Sequence, residues 1–184
     1  MRKLIFAINI SLDGCCDHTK FNPVEETMEY FTQLTRDADT FVYGRITYEL
    51  MVPYWPDIAK NHSGNKAADD YADAFAAINK IIVCSRTLER VEGKNTSIVR
   101  TNLKDEILKL KQEQGGNILT GGVEIPSLLI GLGLVDEYIF GVHPVVVGGG
   151  RRVCEGINLQ ELLQLKLVET KVFKSGGVAL RYLK

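Results

Sequence analysis

One stretch constrains the fold of this chain more than any other. At Asn117-Ile118-Leu119-Thr120-Gly121-Gly122-Val123-Glu124-Ile125-Pro126 a short apolar run stops at a Gly-Gly pair and a helical pattern begins. That is a strand running into a helix. Gly121 and Gly122 carry no Cβ, so the backbone can turn sharply and a ligand can come against it, while the first N–H groups of the new helix point outward. A helix start of this kind attracts phosphate.

A chain of 184 residues can bury a sizeable core without disulfide or metal staples, and we read residues 1–184 as a single domain. A hydrophobic fraction of 45% with 24% charged residues is that of a globular protein, and a net charge of −1 gives no sign of a polyanion-binding surface, so nucleic acid is not an expected partner. Leu4 to Ile10 is apolar but too short for a signal peptide or a membrane span, and reads as a buried strand. Cys15, Cys16, Cys84 and Cys154 include no C-x-x-C pair. Four free thiols fit a reducing cytoplasm.

Along the chain, strand patterns alternate with helical ones. In the first strand Asn9 is the one polar residue and needs a buried partner or a ligand. Asp13, in the turn Ser11-Leu12-Asp13-Gly14, lies just past the strand's C-terminal end, where ligands sit in open α/β sheets; it is either a ligand-facing carboxylate or a turn aspartate bonding its own backbone. The loop from there to Pro23 is long enough to be a flap. A helix from Pro23 to about Asp37 places Met28, Phe31 and Leu34 on one face. Thr40 to Tyr43 is a second strand, turned by Gly44 into a helix that opens with Arg45 and Thr47. Val52 to Lys66, with Pro53, Trp55, Pro56 and Gly64, reads as a loop in which Trp55 is either a lid over a flat ring or a core plug.

A helix with Ala68, Tyr71, Ala72 and Phe75 on one face leads to the strand Lys80 to Cys84, closed by Ser85-Arg86-Thr87, which is either a donor group suited to a phosphate monoester at a strand's C-terminal end or a solvated turn. Further on come a strand over Ser97 to Arg100, a helix with Leu103, Ile107 and Leu110 buried, its stop at Gly115-Gly116, and the strand running into Gly121. Ile125, Leu128, Leu129 and Leu132 then mark a buried helix face, and Val135 to Val142 a strand. His143 lacks partners at metal spacing and reads as a strand-end histidine; no metal is expected. The run to Gly148-Gly149-Gly150 is either a third close approach to a ligand or a loop at a subunit contact. Leu165 to Phe173 and Val178 to Leu183 form a closing antiparallel hairpin. The fold class is therefore α/β, three-layer, with a mixed, mostly parallel sheet flanked by helices and ending in an antiparallel hairpin. G-x-G-x-x-G after the first strand, the P-loop, G-x-S-x-G and H-E-x-x-H are all missing, so the phosphate-friendly corners carry the functional reading.

Taken together, Ser11-Leu12-Asp13-Gly14, Tyr43-Gly44-Arg45-x-Thr47-Tyr48-Glu49, Val83-x-Ser85-Arg86, Gly121-Gly122 and Leu134-Val135-Asp136-Glu137 with Pro144 to Gly150 resemble the dihydrofolate reductase-like superfamily. Within it the chain is most similar to the reductase (C-terminal) domain of the riboflavin-biosynthesis deaminase-reductase and its stand-alone relatives. The resemblance implies a dihydrofolate reductase-like fold and an NADPH-dependent oxidoreductase that passes a hydride to a small heterocycle, of the 5-amino-6-(5-phosphoribosylamino)uracil reductase type, acting as a cytoplasmic homodimer. It also implies that Gly44, Arg45 and Thr47 hold cofactor phosphate, that Ser85 and Arg86 hold the 2′-phosphate end, and that Gly121, Gly122, Val123, Glu124 and Ile125 hold the pyrophosphate. Ala7 would lie near the nicotinamide, and Gly121-Gly122 would be joined by a cis peptide.

Asn9, Asp13 and Trp55 are the candidate substrate-binding residues, and the catalytic residue is unassigned: Asp13, Glu26, Glu29 or a water could supply the proton. Cys15 to Asn22 lacks the segment that the resemblance associates with the phosphoribosyl end of the riboflavin precursor, which leaves the physiological acceptor open. The alternatives are a dihydrofolate reductase proper, which needs an inward carboxylate on the first helix, and a non-catalytic nucleotide-binding module.

Overall fold

The computed structural model describes all 184 residues, Met1–Lys184. Its strands form an eight-stranded mixed sheet, mostly parallel, and its elements cluster into two compact units: Met1–Arg2 with Met28–Leu119, and Lys3–Thr27 with Thr120–Lys184.

The first unit holds β2 (Ala38–Gly44), β3 (Lys80–Cys84), β4 (Thr96–Val99) and all but the last residue of β5 (Asn117–Thr120), in the order β4-β3-β2-β5. β2 pairs parallel with β3 and β3 with β4, and Phe41, Val42, Tyr43, Ile82 and Val83 are buried as expected of strands covered on both faces. Around them lie most of α1 (Glu25–Arg36), then α2 (Arg45–Met51), α3 (Tyr54–Asn61), α4 (Lys66–Ala76) and α5 (Leu103–Gln112). α3 corrects the loop reading of Val52 to Lys66. Pro53 is its N-cap and Pro56 sits in its first turn, where a missing N–H has no helical partner to lose.

On α1 the buried residues are Thr27, Thr32, Leu34 and Thr35, with Met28 and Phe31 only half-buried. Thr32 can be buried because its hydroxyl donates to the Met28 carbonyl at 2.9 Å. α5 stops with Glu113 as its C-cap, before Gly115-Gly116. Those glycines serve a close approach instead. Arg2 is buried, donating to the Gly116 carbonyl at 2.7 Å and to Thr40 Oγ1 at 2.8 Å and pairing with Asp39, and a Cβ on Gly115 would run into the Asp39 carboxylate.

The second unit holds β1 (Leu4–Ser11), α6 (Glu124–Gly131), β6 (Glu137–His143), β7 (Lys166–Val172) and β8 (Val178–Leu183). The strand order is β1-β6-β8-β7, with β1 parallel to β6 and the β7–β8 hairpin antiparallel, as the sequence reading expects. On α6 the buried residues are Pro126, Ser127, Leu129 and Ile130, while Leu128 is 51% exposed and Leu132 39%. The expected face is therefore turned by about one residue, because a helix of only eight residues offers too little periodicity to fix it. No helix is long and apolar enough to cross a membrane.

Candidate functional site

In the first unit the site begins where β2 ends. Gly44, extended at φ −77°, caps α2 with no side-chain hydrogen bond, and its register partner on β3 is Cys84. Two strand ends thus stand side by side. Ser85 continues from Cys84, its N–H donating to the Val99 carbonyl at 3.1 Å, so the end of β4 joins the same edge. The Ser85 hydroxyl accepts from the N–H groups of Thr87 and Leu88 at 3.3 and 3.0 Å, a local turn that keeps its own O–H available and projects Arg86 outward.

The Arg86 guanidinium bonds nothing in the protein, whereas Arg45 is engaged with Glu49 at 2.7 Å across one helical turn. Thr47 is half-buried on α2. Sequence reasoning missed two supports of this edge. Arg100 donates to the carbonyls of Arg86 and Glu89 at 3.4 and 3.2 Å, and the buried Tyr48 hydroxyl accepts from Glu92 N–H at 2.8 Å. Arg100 immediately follows the last residue of β4, so the strand-end rule that singled out Ser85 would have found it as well. Trp55 lies on α3, half-buried, its ring 4.5 Å from Tyr71 in an edge contact. Tyr71, Phe75, Phe41 and Tyr43 continue a row of rings down to β2, so Trp55 is packed into the aromatic core of its unit.

In the second unit Gly121 follows β5, and a Cβ built on it would stand 3.3 Å from the Ala7 carbonyl oxygen of β1. Gly122 has φ +88°, in the region that favours glycine, and α6 starts after Val123. No cis peptide occurs, which corrects the expectation for Gly121-Gly122: the positive φ of Gly122 makes the turn. Glu124 and Ile125 belong to the first turn of α6, and no side chain caps it. Because Pro126 has no N–H, the outward donors are those of Val123, Glu124 and Ile125.

Asp13 is already engaged. Its carboxylate accepts from Ser11 Oγ at 2.6 Å and from the N–H groups of Val147 and Gly148 at 3.1 and 2.9 Å, with Arg152 at 3.7 Å. The Ser11 hydroxyl first, and the two amides after it, hold its pKa well below the usual carboxylate range. This ties the glycine loop to the end of β1. The start of the presumed flap is stitched down as well, by Leu12 N–H to the Val145 carbonyl at 2.9 Å and Cys16 N–H to the Arg151 carbonyl at 2.8 Å. Glu26 likewise accepts from the N–H groups of Lys174 and Ser175 at 3.1 and 2.9 Å, and the Ser175 amide leads in lowering its pKa. Glu29 is exposed. Asn9 meets a partner that the sequence reading left without a role: His143, 1% exposed, whose Nε2 is 3.1 Å from Asn9 Oδ1.

Each unit taken by itself carries groups that suit phosphate: a guanidinium without a protein partner and a hydroxyl in the first, and in the second a glycine corner, whose space a Cβ would fill, next to uncapped helix amides. Comparisons with known proteins agree with the fold. The chain is 29% identical over 187 residues to the uncharacterized protein YyaP of Bacillus subtilis (strain 168), covering 98% of this chain and 94% of that one. Among solved structures, the diaminohydroxyphosphoribosylaminopyrimidine deaminase/5-amino-6-(5-phosphoribosylamino)uracil reductase of Thermotoga maritima superposes with a TM-score of 0.65 at 12% identity, over 99% of this chain and 56% of that one. Dihydrofolate reductase from Enterococcus faecalis, complexed with NADP(H), gives 0.64 at 14% identity, over 98% and 95%. The profile of the RibD C-terminal domain matches residues 2–179, and the chain belongs to that family.

Proposed function

We propose that this protein is an NADPH-dependent reductase that delivers a hydride to a small flat heterocycle, of the 5-amino-6-(5-phosphoribosylamino)uracil reductase type. The observation that carries the reading is the Gly121-Gly122 corner, where bare backbone at a strand end meets uncapped helix amides. Val123, Glu124 and Ile125 would offer those amides to the pyrophosphate, and Ala7 would lie beside the nicotinamide. In the first unit Gly44, Arg45 and Thr47 would hold phosphate at the start of α2, and Ser85 and Arg86 the 2′-phosphate. When bound, NADPH supplies the hydride, and the protein's part is to hold donor and acceptor in register. Asn9 is the substrate-side contact. Asp13 and Trp55 serve the substrate indirectly, through the loops and rings they hold in place. The chain would work as one domain in a cytoplasmic homodimer.

Reduction of folate finds no support on α1. Its buried positions carry threonines and a leucine, and the nearest glutamate, Glu26, is occupied by backbone amides. Titration of the purified protein with NADPH and NADH, by fluorescence or calorimetry, is the test. Selective NADPH binding, followed by its oxidation on addition of a pyrimidine acceptor, is the expected result. Binding without turnover by any acceptor would leave a nucleotide-binding module, and no binding would refute the cofactor assignment.

A further inference from the structure

His143 is the last residue of β6 and one of the most buried side chains in the chain. Its Nε2 faces Asn9 Oδ1, so in this arrangement Nε2 carries the proton and donates, and the Nδ1 lone pair is left facing inward. Nδ1 is the only fully buried side-chain nitrogen or oxygen without a hydrogen-bond partner. Burial lowers the pKa of the ring, favouring the neutral form, and Phe21 packs on it with ring centroids 5.2 Å apart. A buried, locked and neutral imidazole that spends its single N–H on one carboxamide oxygen fixes which way that carboxamide points.

Asn9 is half-buried, and its Nδ2 amide makes no hydrogen bond within the protein. Beside it in register stand Gly141 on β6 and, beyond that, Ala179 on β8. Paired residues on neighbouring strands project to the same face, so toward β6 and β8 the amide is flanked by a hydrogen and a methyl group. Ala7 precedes Asn9 by two residues on that face, next to the Gly121 corner.

Resting on the reductase reading above, we infer that His143 is a positioning residue: it fixes the Asn9 carboxamide so that its NH₂ group donates to a ring carbonyl of the heterocyclic acceptor. The site thereby selects a ring that presents an acceptor oxygen at its edge. A ring bearing only donors at that edge would meet N–H against N–H.

The test uses 5,6-diaminouracil as probe, the wild-type protein, and the variants His143→Gln, which retains a donor toward Asn9, and His143→Leu, which does not. NADPH affinity is measured first on all three. Binding of the probe to the NADPH-loaded proteins is then followed by calorimetry and through the side-chain amide resonances of Asn9 in wild type. The expected result is that the Asn9 NH₂ signals shift on adding probe, that His143→Leu loses about tenfold in probe affinity with NADPH affinity kept, and that His143→Gln recovers most of it. Unmoved Asn9 signals, or equal probe affinity in wild type and His143→Leu, would overturn the inference while leaving the reductase reading intact. Wild-type protein that binds NADPH but not the probe would overturn it too. Failure of wild type to bind NADPH would instead overturn the reading on which it rests. If His143→Leu does not fold, the Asn9 signals and His143→Gln decide.

Discussion

Gly121 and Gly122 are adjacent glycines needed for different reasons, and alanine at each separates the two. Gly121 is absent from the positive-φ residues, so alanine is allowed there by the backbone, but its Cβ would stand 3.3 Å from the Ala7 carbonyl. That neighbour is main chain in a strand and can give only a few tenths of an ångström. Overpacking costs about 1 kcal/mol at the low end of its range, and removing a glycine from the unfolded chain returns about 0.4–1 kcal/mol, so Gly121→Ala should be close to neutral in stability. Its effect on binding should be larger. If the displaced corner loses one or two charge-assisted bonds from backbone N–H to phosphate, at about 1.5–3 kcal/mol each, NADPH affinity falls by roughly tenfold to several hundredfold or more. Gly122, at φ +88°, forces alanine into a left-handed conformation costing about 1–2 kcal/mol, so Gly122→Ala should lose stability as well as affinity. Urea unfolding and NADPH fluorescence titration on both variants read the two quantities separately. A Gly121→Ala protein that is stable and binds NADPH like wild type would refute the claim that the corner is a ligand cradle.

Three further outcomes follow from named contacts. Arg86→Ala should weaken NADPH by roughly tenfold to a hundredfold in calorimetry while barely affecting NADH, since a guanidinium free of protein partners has only the 2′-phosphate to lose; equal losses would remove it from that role. Burial alone lowers the His143 pKa from 6.5, and the groups shown against it, Asn9 and Phe21, are uncharged. The unfolded chain therefore takes up the proton first as pH falls below that value, so stability contributed by the neutral ring is present above it and is lost toward the folded pKa. Urea midpoints measured from roughly pH 7 to 5 should fall less in His143→Gln than in wild type, and parallel curves would contradict the assignment. The Glu137 carboxylate is fully buried between Lys3 at 3.2 Å and Arg181, which are 53% and 32% exposed. Arg181→Ala strands that carboxylate with one partner and should cost about 3 kcal/mol, whereas Glu137→Gln leaves two cations that reach water and should cost about 1–2 kcal/mol; the reverse order in urea unfolding would sink the argument.

Most of the secondary structure was legible because it rests on local pattern. Lys80 to Cys84, the glycine corners at Gly44 and Gly121, and the closing hairpin announce themselves within a few residues. α3 was hidden because Pro53 and Pro56 suggest a loop unless their positions in a first turn are known. The functions of single polar residues were less legible. Asp13 bonds amides 134 and 135 residues away, Glu26 amides 148 and 149 away, and Asn9 a histidine 134 away. An amide carries no side-chain signature, so no spacing in the sequence marks a carboxylate as its partner.

These long-range pairings change what chemistry remains for the substrate side. Two of the three carboxylates that sequence reasoning offered as proton donors are anionic caps whose role depends on staying ionised: protonating Asp13 would weaken its hold on two amides of the glycine loop, and protonating Glu26 would do the same at the hairpin turn. The third, Glu29, is exposed on α1 and faces water. A neutral imidazole whose only proton is committed to Asn9 is a poor acid as well. On the proposed reading, what the second unit would offer a heterocycle is thus a fixed amide donor and not an acid. That suits an acceptor whose developing negative charge can rest on a ring oxygen under an N–H while water supplies the proton, and it is the physical reason to expect a carbonyl-bearing ring in this protein where a folate-type site would place a carboxylate.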